Sequence, residues 1–581
     1  MKLPLKQYLK LLAHYLRPQR TRALLMSALL LVSIGLQLAN PQVLRYFIDT
    51  ATGGGNPSLL LLAAALFIGI AVINQAVSIY SRYLSENVAW TATNGMRADL
   101  LAHCLSLDMA FHKEHTPGEL IERIDGDVNI LSNFFSAFVV YLLGNAILLV
   151  GILLFLLQID WRVGLALAIF VLLALFILIS IRGRIIPLWT ADRQMDAEFY
   201  GFLGEQLAGT EDIRANGATA YIMRRFHLLL NRWYPIHRKA GMGYFAMGMT
   251  TLTLFAIGNA LAFALGAYLW SINKISLGTV YIIFYYTNLL TQPIDQIRFQ
   301  LQDLQKAGAS IQRVEALLLL QPDITDGKGT PLPEGALSVV FEHVSFGYTK
   351  DTTVLEDITF SLQANRILGV LGRTGSGKTT LARLLLRMYD PQGGQIQLGD
   401  VPIAEPRLAD LRRHVGMVTQ DVQLFHASVR DNLTFFDHAI PDERILAVMD
   451  DLGLMPWYRT LPDGLDSELG ANGEGLSAGE AQLLAFTRVF LANPGLVILD
   501  EASSRLDPAT EHLIEQAVSK LLRGRTGIVI AHRLGTIKRA DEILVLENGR
   551  ILEYGGRAAL ASDHASRFAS LLQTGLEEVT I

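Results

Sequence analysis

Six long apolar runs constrain this chain more than any other feature: "ALLMSALLLVSIGLQLA" (23–39), "LLLLAAALFIGIAVI" (59–73), "FVVYLLGNAILLVGILLFLL" (138–157), "VGLALAIFVLLALFILISI" (163–181), "MGMTTLTLFAIGNALAFALGAYLW" (247–270) and "LGTVYIIFYYTNLL" (277–290). All lie before residue 300, with no period-two strand pattern between them. A bilayer core of about 30 Å takes about 20 helical residues, a length these runs reach with their flanks. One such run alone, the shorter two especially, can also read as a buried core helix; six in succession exclude a water-soluble fold. The whole chain of 581 residues is 51% hydrophobic, and its mean hydropathy of +0.33 comes from this half. The expected fold class is therefore a multidomain membrane protein with an all-α, six-helix transmembrane domain.

The segments between the runs alternate in kind. "DTATGGGNP" (49–57), "QID" (158–160) and "SINKIS" (271–276) are short and poor in Lys and Arg, whereas 79–137 and 182–246 are long, helical in pattern and carry Lys and Arg, most densely in 182–246 ("RRF" at 224–226, "HRK" at 237–239). Positively charged loops stay on the cytoplasmic side, which puts the long segments and both termini in the cytoplasm. An unbroken helix from about 58 to 107 would run roughly 75 Å at 1.5 Å per residue, so these helices project beyond the bilayer and turn in the cytosol. The turns are expected near "FHKEHTPGEL" (111–120) and "GTEDIRANGA" (209–218), packed on a cytosolic domain near Gln420. The first twenty residues carry Lys2, Lys6, Lys10, Arg17 and Arg20 and no acid, with leucines at helical spacing. That pattern fits an interfacial elbow helix over 1–20 on the membrane surface, or a basic surface helix. No cleavable signal pattern is expected. The net charge of −5 gives no global basic field for nucleic acid. Cys104 is the only cysteine, which excludes an internal disulfide and a cysteine metal cluster.

The pattern changes after "QPDITDGKGTPLPEG" (321–335), a linker rich in Pro, Gly and charge. From 336 to 581 strands alternate with helices, which predicts an α/β domain behind the helical domain of 21–320. "LGVLGRTGSGKTTLARLLL" reads as strand, G-x-x-x-x-G-K-T, then helix, the context a P-loop needs. Gly372, Gly375 and Gly377 let backbone N–H groups of Thr374, Ser376 and their neighbours turn inward around phosphate oxygens. Lys378 neutralises β/γ charge, Thr379 ligates Mg²⁺, and Thr380 continues the helix start, whose dipole favours an anion. "LVILDEASSRLD" (496–507) ends a buried strand in Asp500 and Glu501. Alone, such a strand end is an ordinary solvated one. Downstream of a P-loop, Asp500 holds the Mg²⁺ shell and Glu501 is the general base for the attacking water.

"LSAGEAQLLAFTRVFLANP" (476–494) and "IVIAHRL" (528–534) complete an ordered set with Tyr348 in "VSFGY" and Gln420 in "VTQD". Together these residues resemble the ATP-binding-cassette (ABC) family, and six membrane helices ahead of the cassette resemble its exporter-type half-transporters. The resemblance implies that ATP binds with Mg²⁺. Tyr348 would stack on adenine and Gln420 would touch Mg²⁺ or the attacking water. His532 would contact the γ-phosphate. Ser477 and Gly479 would reach ATP held by an opposing subunit, with Asp507 at the dimer interface. One chain alone would then hold half of each of two ATP sites.

The family's signature usually reads LSGGQ, and a Glu usually precedes it; here stand Ala478, Glu480 and Ala471. Ala478 adds a Cβ where backbone approaches phosphate, and Glu480 puts negative charge at a phosphate-binding helix end. Because Lys378, Thr379, Asp500, Glu501 and His532 are intact, the expected partner is a second half-transporter that supplies a standard signature, making a heterodimer. The alternatives are a homodimeric exporter or lipid flippase, an importer of similar fold, and an ATP-gated channel. The expected activity is ATP-driven export of an amphipathic or hydrophobic solute across a bacterial inner membrane, among membrane lipid and without nucleic acid. Asn74, Gln75, Asn145, Asn259, Tyr281, Tyr285 and Asn288 either line a solute cavity or hydrogen-bond between helices.

Overall fold

The computed structural model describes residues 13–137, 143–349, 352–470, 473, 475–500, 508–530 and 537–574. They form two compact units, one from the described residues of Met1–Leu105 and Pro117–Leu320, the other from Ser106–Thr116 and Gln321–Ile581.

The first unit is helical. Among the described residues four helices are long and apolar enough to cross a membrane: Ala13–Thr52, Pro57–Ser106, Trp161–Ala208 and Thr219–Ser271. The third apolar run begins in residues outside the described set, and its described part is the helix Gly144–Ile159. The sixth run gives Leu277–Leu289, after which Thr291–Leu319 continues. Pro293 has no N–H to give the Leu289 carbonyl, so the helix is interrupted at Leu290. Exposed large apolar side chains such as Leu61, Leu172 and Phe176 stud the spans, which is the surface lipid requires and water penalises. The chain is an integral membrane protein. Its membrane core joins Leu148, Ile152 and Leu156 to Val163, Leu167, Ile282 and Tyr286.

Polar groups tie these helices together. The buried Tyr286 hydroxyl donates to the Leu38 carbonyl (2.7 Å) and accepts from Gln42 (3.1 Å). Ser33 donates to Asn74 (2.8 Å) and Asn259 to Asn288 (3.1 Å), so these three asparagines act between helices. Asp49, near the end of Arg20–Thr52, accepts from Ser276 and from the Gly278 N–H (2.8 and 2.9 Å). A Cβ on Gly278 would sit 2.6 Å from that carboxylate, which is why a glycine stands in the first turn of Leu277–Leu289. Of the elbow segment, residues 1–12 lie outside the described set. Its remainder is helical and pinned to the helix Pro57–Ser106, with Tyr15 donating to Asp99 (2.9 Å). Farther along, Asp127 is 1% exposed and ends a π-helical turn, Glu122–Asp127, where Arg313 grips it with Nε (2.8 Å) and Nη2.

The first of the two expected turns, Ser106–Thr116, belongs to the second unit. Asp108 opens the helix Met109–Glu114 but does not cap it. Its carboxylate instead accepts from the N–H groups of Asp323 and Ile324 at the head of the linker. From this turn Asp108 reaches the linker and Lys113 reaches Tyr348. The second turn, Thr210–Ala215, stays in the first unit and buries none of its residues.

The second unit is α/β. β1 (Val339–Phe346), β2 (Leu355–Leu362), β4 (Gly393–Leu398) and β5 (Val401–Pro402) form an antiparallel sheet ordered β2-β1-β4-β5. β3 (Ile367–Gly372), β6 (Val415–Val418), β7 (Leu496–Asp500), β8 (Thr526–Ile530), β9 (Glu542–Glu547) and β10 (Arg550–Gly556) form a second sheet ordered β10-β9-β3-β8-β7-β6. All its pairings are parallel except β9 with β10. β7 and β8 are buried at every residue, as strands covered on both faces must be.

Candidate nucleotide site

Ligands of open α/β sheets sit beyond the carboxyl ends of the parallel strands. Here the register pairs Val370 of β3 and Asp500 of β7 with opposite sides of Ile530 of β8, and Val418 of β6 with Leu499. The P-loop after β3, Asp500 at the end of β7, and Thr419-Gln420 after β6 therefore emerge along one edge. Gln420 is exposed there and Asp500 is buried. Glu501, Asp507 and His532 lie outside the described residues, as does Ala471.

The P-loop runs from Gly372 into the helix Lys378–Leu385. Gly377 caps that helix at φ 105°, in the left-handed region, and a Cβ there would strike Leu355 at 2.5 Å, so only glycine fits. Thr374 and Gly375 are exposed on the loop, Ser376 and Thr380 are buried, and Thr379 is half-buried. The Lys378 side chain is 6% exposed, and its ammonium donates to the carbonyls of Gly372 (2.7 Å) and Arg373 (3.1 Å). It is thus folded back across the loop that would cradle phosphate. The Ser376 hydroxyl is buried without a hydrogen-bond partner. An orphan of that kind costs about 1–3 kcal/mol, and a phosphate oxygen would satisfy it.

Tyr348, just beyond β1, is fixed by its hydroxyl, which accepts from Arg383 (3.0 Å) and meets Thr380 Oγ1 (3.1 Å). Phe346 and Tyr389 meet its ring at 84°, with centroids 5.1 and 5.2 Å away. The Lys113 ammonium lies 3.9 Å from the ring centroid. Sequence reasoning did not single out Arg383 or Lys113. Nothing local marks either residue, because both act on Tyr348 across the fold.

The signature segment "LSAGE" starts the helix Ala478–Ala492, with Ser477 as N-cap. Ser477 accepts from the Glu480 N–H (3.2 Å), while the Glu480 carboxylate accepts from the Ser477 N–H and O–H, a full capping box. Ser477 and Ala478 are exposed and Gly479 is buried. On the same helix, Arg488 donates to the carbonyls of Asn432 (2.6 Å) and Gln423 (2.8 Å), and so holds the segment that follows Gln420. Burial pushes its guanidinium down to about 10, which leaves it charged at neutral pH.

A P-loop cassette joined in one chain to helices long enough to cross a bilayer defines a membrane transport ATPase. The chain belongs to the ABC transporter family and is of the exporter type. The sequence pattern of the ABC transporter transmembrane region matches residues 24–294 and that of the ABC transporter cassette matches residues 355–504. An uncharacterized ABC transporter ATP-binding protein, YknV, of Bacillus subtilis (strain 168) is 31% identical over 94% of this chain and 91% of its own length. A multidrug resistance ABC transporter ATP-binding and permease protein of Lactococcus lactis subsp. cremoris is 30% identical, over 91% and 89%. An ATP-dependent lipid A-core flippase of Pseudomonas fluorescens is 31% identical, over 99% and 97%. The solved structure of a bacterial Atm1-family ABC exporter with ATP bound matches 96% of this chain and 98% of its own, with a TM-score of 0.78 at 25% identity. The cassette therefore binds ATP and couples its hydrolysis to transport, in a dimer of the kind ABC exporters form.

Proposed function

We propose that this chain is one half of an asymmetric heterodimeric exporter of an amphipathic or hydrophobic solute, in the class of the multidrug and lipid substrates named for its relatives. It would reside in a bacterial inner membrane with both termini and the cassette in the cytoplasm. The Lys and Arg residues concentrated in 182–246, set against the short connecting segments that carry almost none, support that orientation.

In the site, Lys378 leaves the loop carbonyls for the β/γ-phosphates, and Ser376 and the loop N–H groups complete the cradle. Thr379, Asp500 and Gln420 would hold Mg²⁺, which supplies charge neutralisation between the phosphates. The buried Asp500 and the orphaned Ser376 hydroxyl suit a charged, phosphate-bearing ligand. Glu501 takes a proton from the attacking water, and His532 holds the γ-phosphate. Alternating access follows from closing and opening two cassettes on two ATP molecules, with Asp507 at their interface.

The observation that carries the asymmetry is Glu480 bonded to Ser477. In a homodimer both ATP sites would meet this occupied signature. A partner with a standard signature would instead complete one competent site on this chain's Lys378 and Glu501. The test is to purify the chain alone and co-expressed with a candidate second half-transporter, reconstitute each, and compare ATPase activity and flux. A stable homodimer that matches the pair in both would exclude the heterodimer.

A further inference from the structure

We infer that Lys113 is a determinant of adenine-nucleotide affinity: it covers a face of Tyr348 and must leave before adenine can stack there. The inference rests on the reading of Tyr348 as the adenine platform. Its geometric basis is the Lys113 ammonium, 3.9 Å from the Tyr348 ring centroid. A base stacked on that face would occupy the same space.

The ring cannot turn aside to offer another surface. Its hydroxyl is held by Arg383 and Thr380, and Phe346 and Tyr389 flank it within the packed core of the cassette. The Arg383 guanidinium carbon also lies over the ring, 6.0 Å from its centroid, and the Lys113 ammonium sits much closer, at 3.9 Å. A cation above a tyrosine is attracted by the negative charge of the ring face, and the attraction grows as water is excluded. Lys113 is itself exposed, so its side chain can swing into solvent without unpacking anything.

Its place in the chain gives the contact a consequence. Lys113 sits on the helix Met109–Glu114, three residues beyond the end of the long helix Pro57–Ser106. Asp108 ties the same short helix to the linker through bonds that a nucleotide would not disturb. ATP would therefore release one of two tethers and leave the other. By reciprocity, whatever pulls the turn away from Tyr348 raises affinity for ATP by the same factor that ATP lowers the hold of the turn.

The test uses the full-length protein in detergent, assembled with its partner where it has one, and isothermal titration with ATP and with inorganic tripolyphosphate. Lys113→Met keeps length and removes the cation. The expected result is ATP binding about three- to tenfold tighter, the size of an exposed to partly desolvated cation–π contact, with tripolyphosphate unchanged because it uses the P-loop alone. Lys113→Arg, which stacks at least as well, should not tighten ATP. Equal or weaker ATP binding by Lys113→Met would overturn the inference, as would an equal gain for both ligands. Tyr348→Ala separates the two layers. If it leaves ATP affinity unchanged the platform reading itself fails, whereas a large loss there with no gain from Lys113→Met sinks only the role of Lys113.

Discussion

The Glu480 carboxylate accepts both the N–H and the O–H of Ser477, each at 2.8 Å. Those two donors are the ones a signature helix would offer to an opposing γ-phosphate, and here they are spent on a neighbour three residues away. The carboxylate also sets a full negative charge at the positive end of the helix dipole. Glu480→Gln should keep the capping box, since glutamine serves at that position too, so folding stability should change by less than about 1 kcal/mol. Loss of the charge should raise turnover at the ATP site this signature completes by about two- to fivefold. Steady-state ATPase of the assembled dimer, with the other site silenced, reads this directly, and an unchanged rate would mean that Glu480 is not what handicaps the signature.

Glu501→Gln should lower hydrolysis by about 10²–10⁴-fold while ATP still binds, because the base is lost and the phosphate cradle is kept. Lys378→Ala should behave differently. Its ammonium already lies within the loop, bonded to the Gly372 and Arg373 carbonyls, so its removal takes away the charge that meets the phosphates and weakens binding itself. Titration of a fluorescent ATP analogue against both variants separates them. Near-normal hydrolysis by Glu501→Gln would remove that residue from the role of base.

Arg313 closes over the fully buried carboxylate of Asp127. Taking away one partner of such a pair leaves a buried charge uncompensated, at about 3 kcal/mol. Arg313→Met should therefore lower the apparent unfolding temperature markedly. The same change in an Asp127→Asn background should cost less than half as much, since the orphaned charge is gone. Equal costs in the two backgrounds would show that the pair is not coupled.

What could be read in advance divides along sequence distance. The P-loop is a contiguous strand, turn and helix, so "GRTGSGKTT" announces both its backbone and the role of Lys378. The S-x-x-E spacing of Ser477 and Glu480 is equally local, although charge alone did not say that the carboxylate would fold onto its own cap. The apolar runs marked the membrane helices, whereas the break at Leu290 was not anticipated and shows only in the structure. Asp127 with Arg313, 186 residues apart, and Asp108 with Asp323, 215 apart, left no such trace. Each is a tertiary meeting of two ordinary surface-type residues. Lys113 on Tyr348 is of the same kind, so nothing local marked that the turn carrying Lys113 would meet that ring.

Asp108 supplies the last prediction. An aspartate at a helix N-cap normally accepts from the N–H groups of its own first turn, yet this one makes no such bond and reaches the N–H groups of Asp323 and Ile324. The carboxylate is thus a tether between the turn Ser106–Thr116 and the start of the linker, remote in role from the phosphates. Asp108→Ala should leave ATP affinity within about twofold and leave cassette unfolding unchanged, because neither the P-loop nor the cassette core depends on it. Solute-stimulated ATPase should fall severalfold toward the basal rate, since the turn would no longer report the state of the helix that leads into it. Asp108→Asn, which keeps an acceptor for one of the two N–H groups, should fall between. The measurement is the ratio of stimulated to basal ATPase in proteoliposomes, and a wild-type ratio in Asp108→Ala would show that the tether carries no coupling.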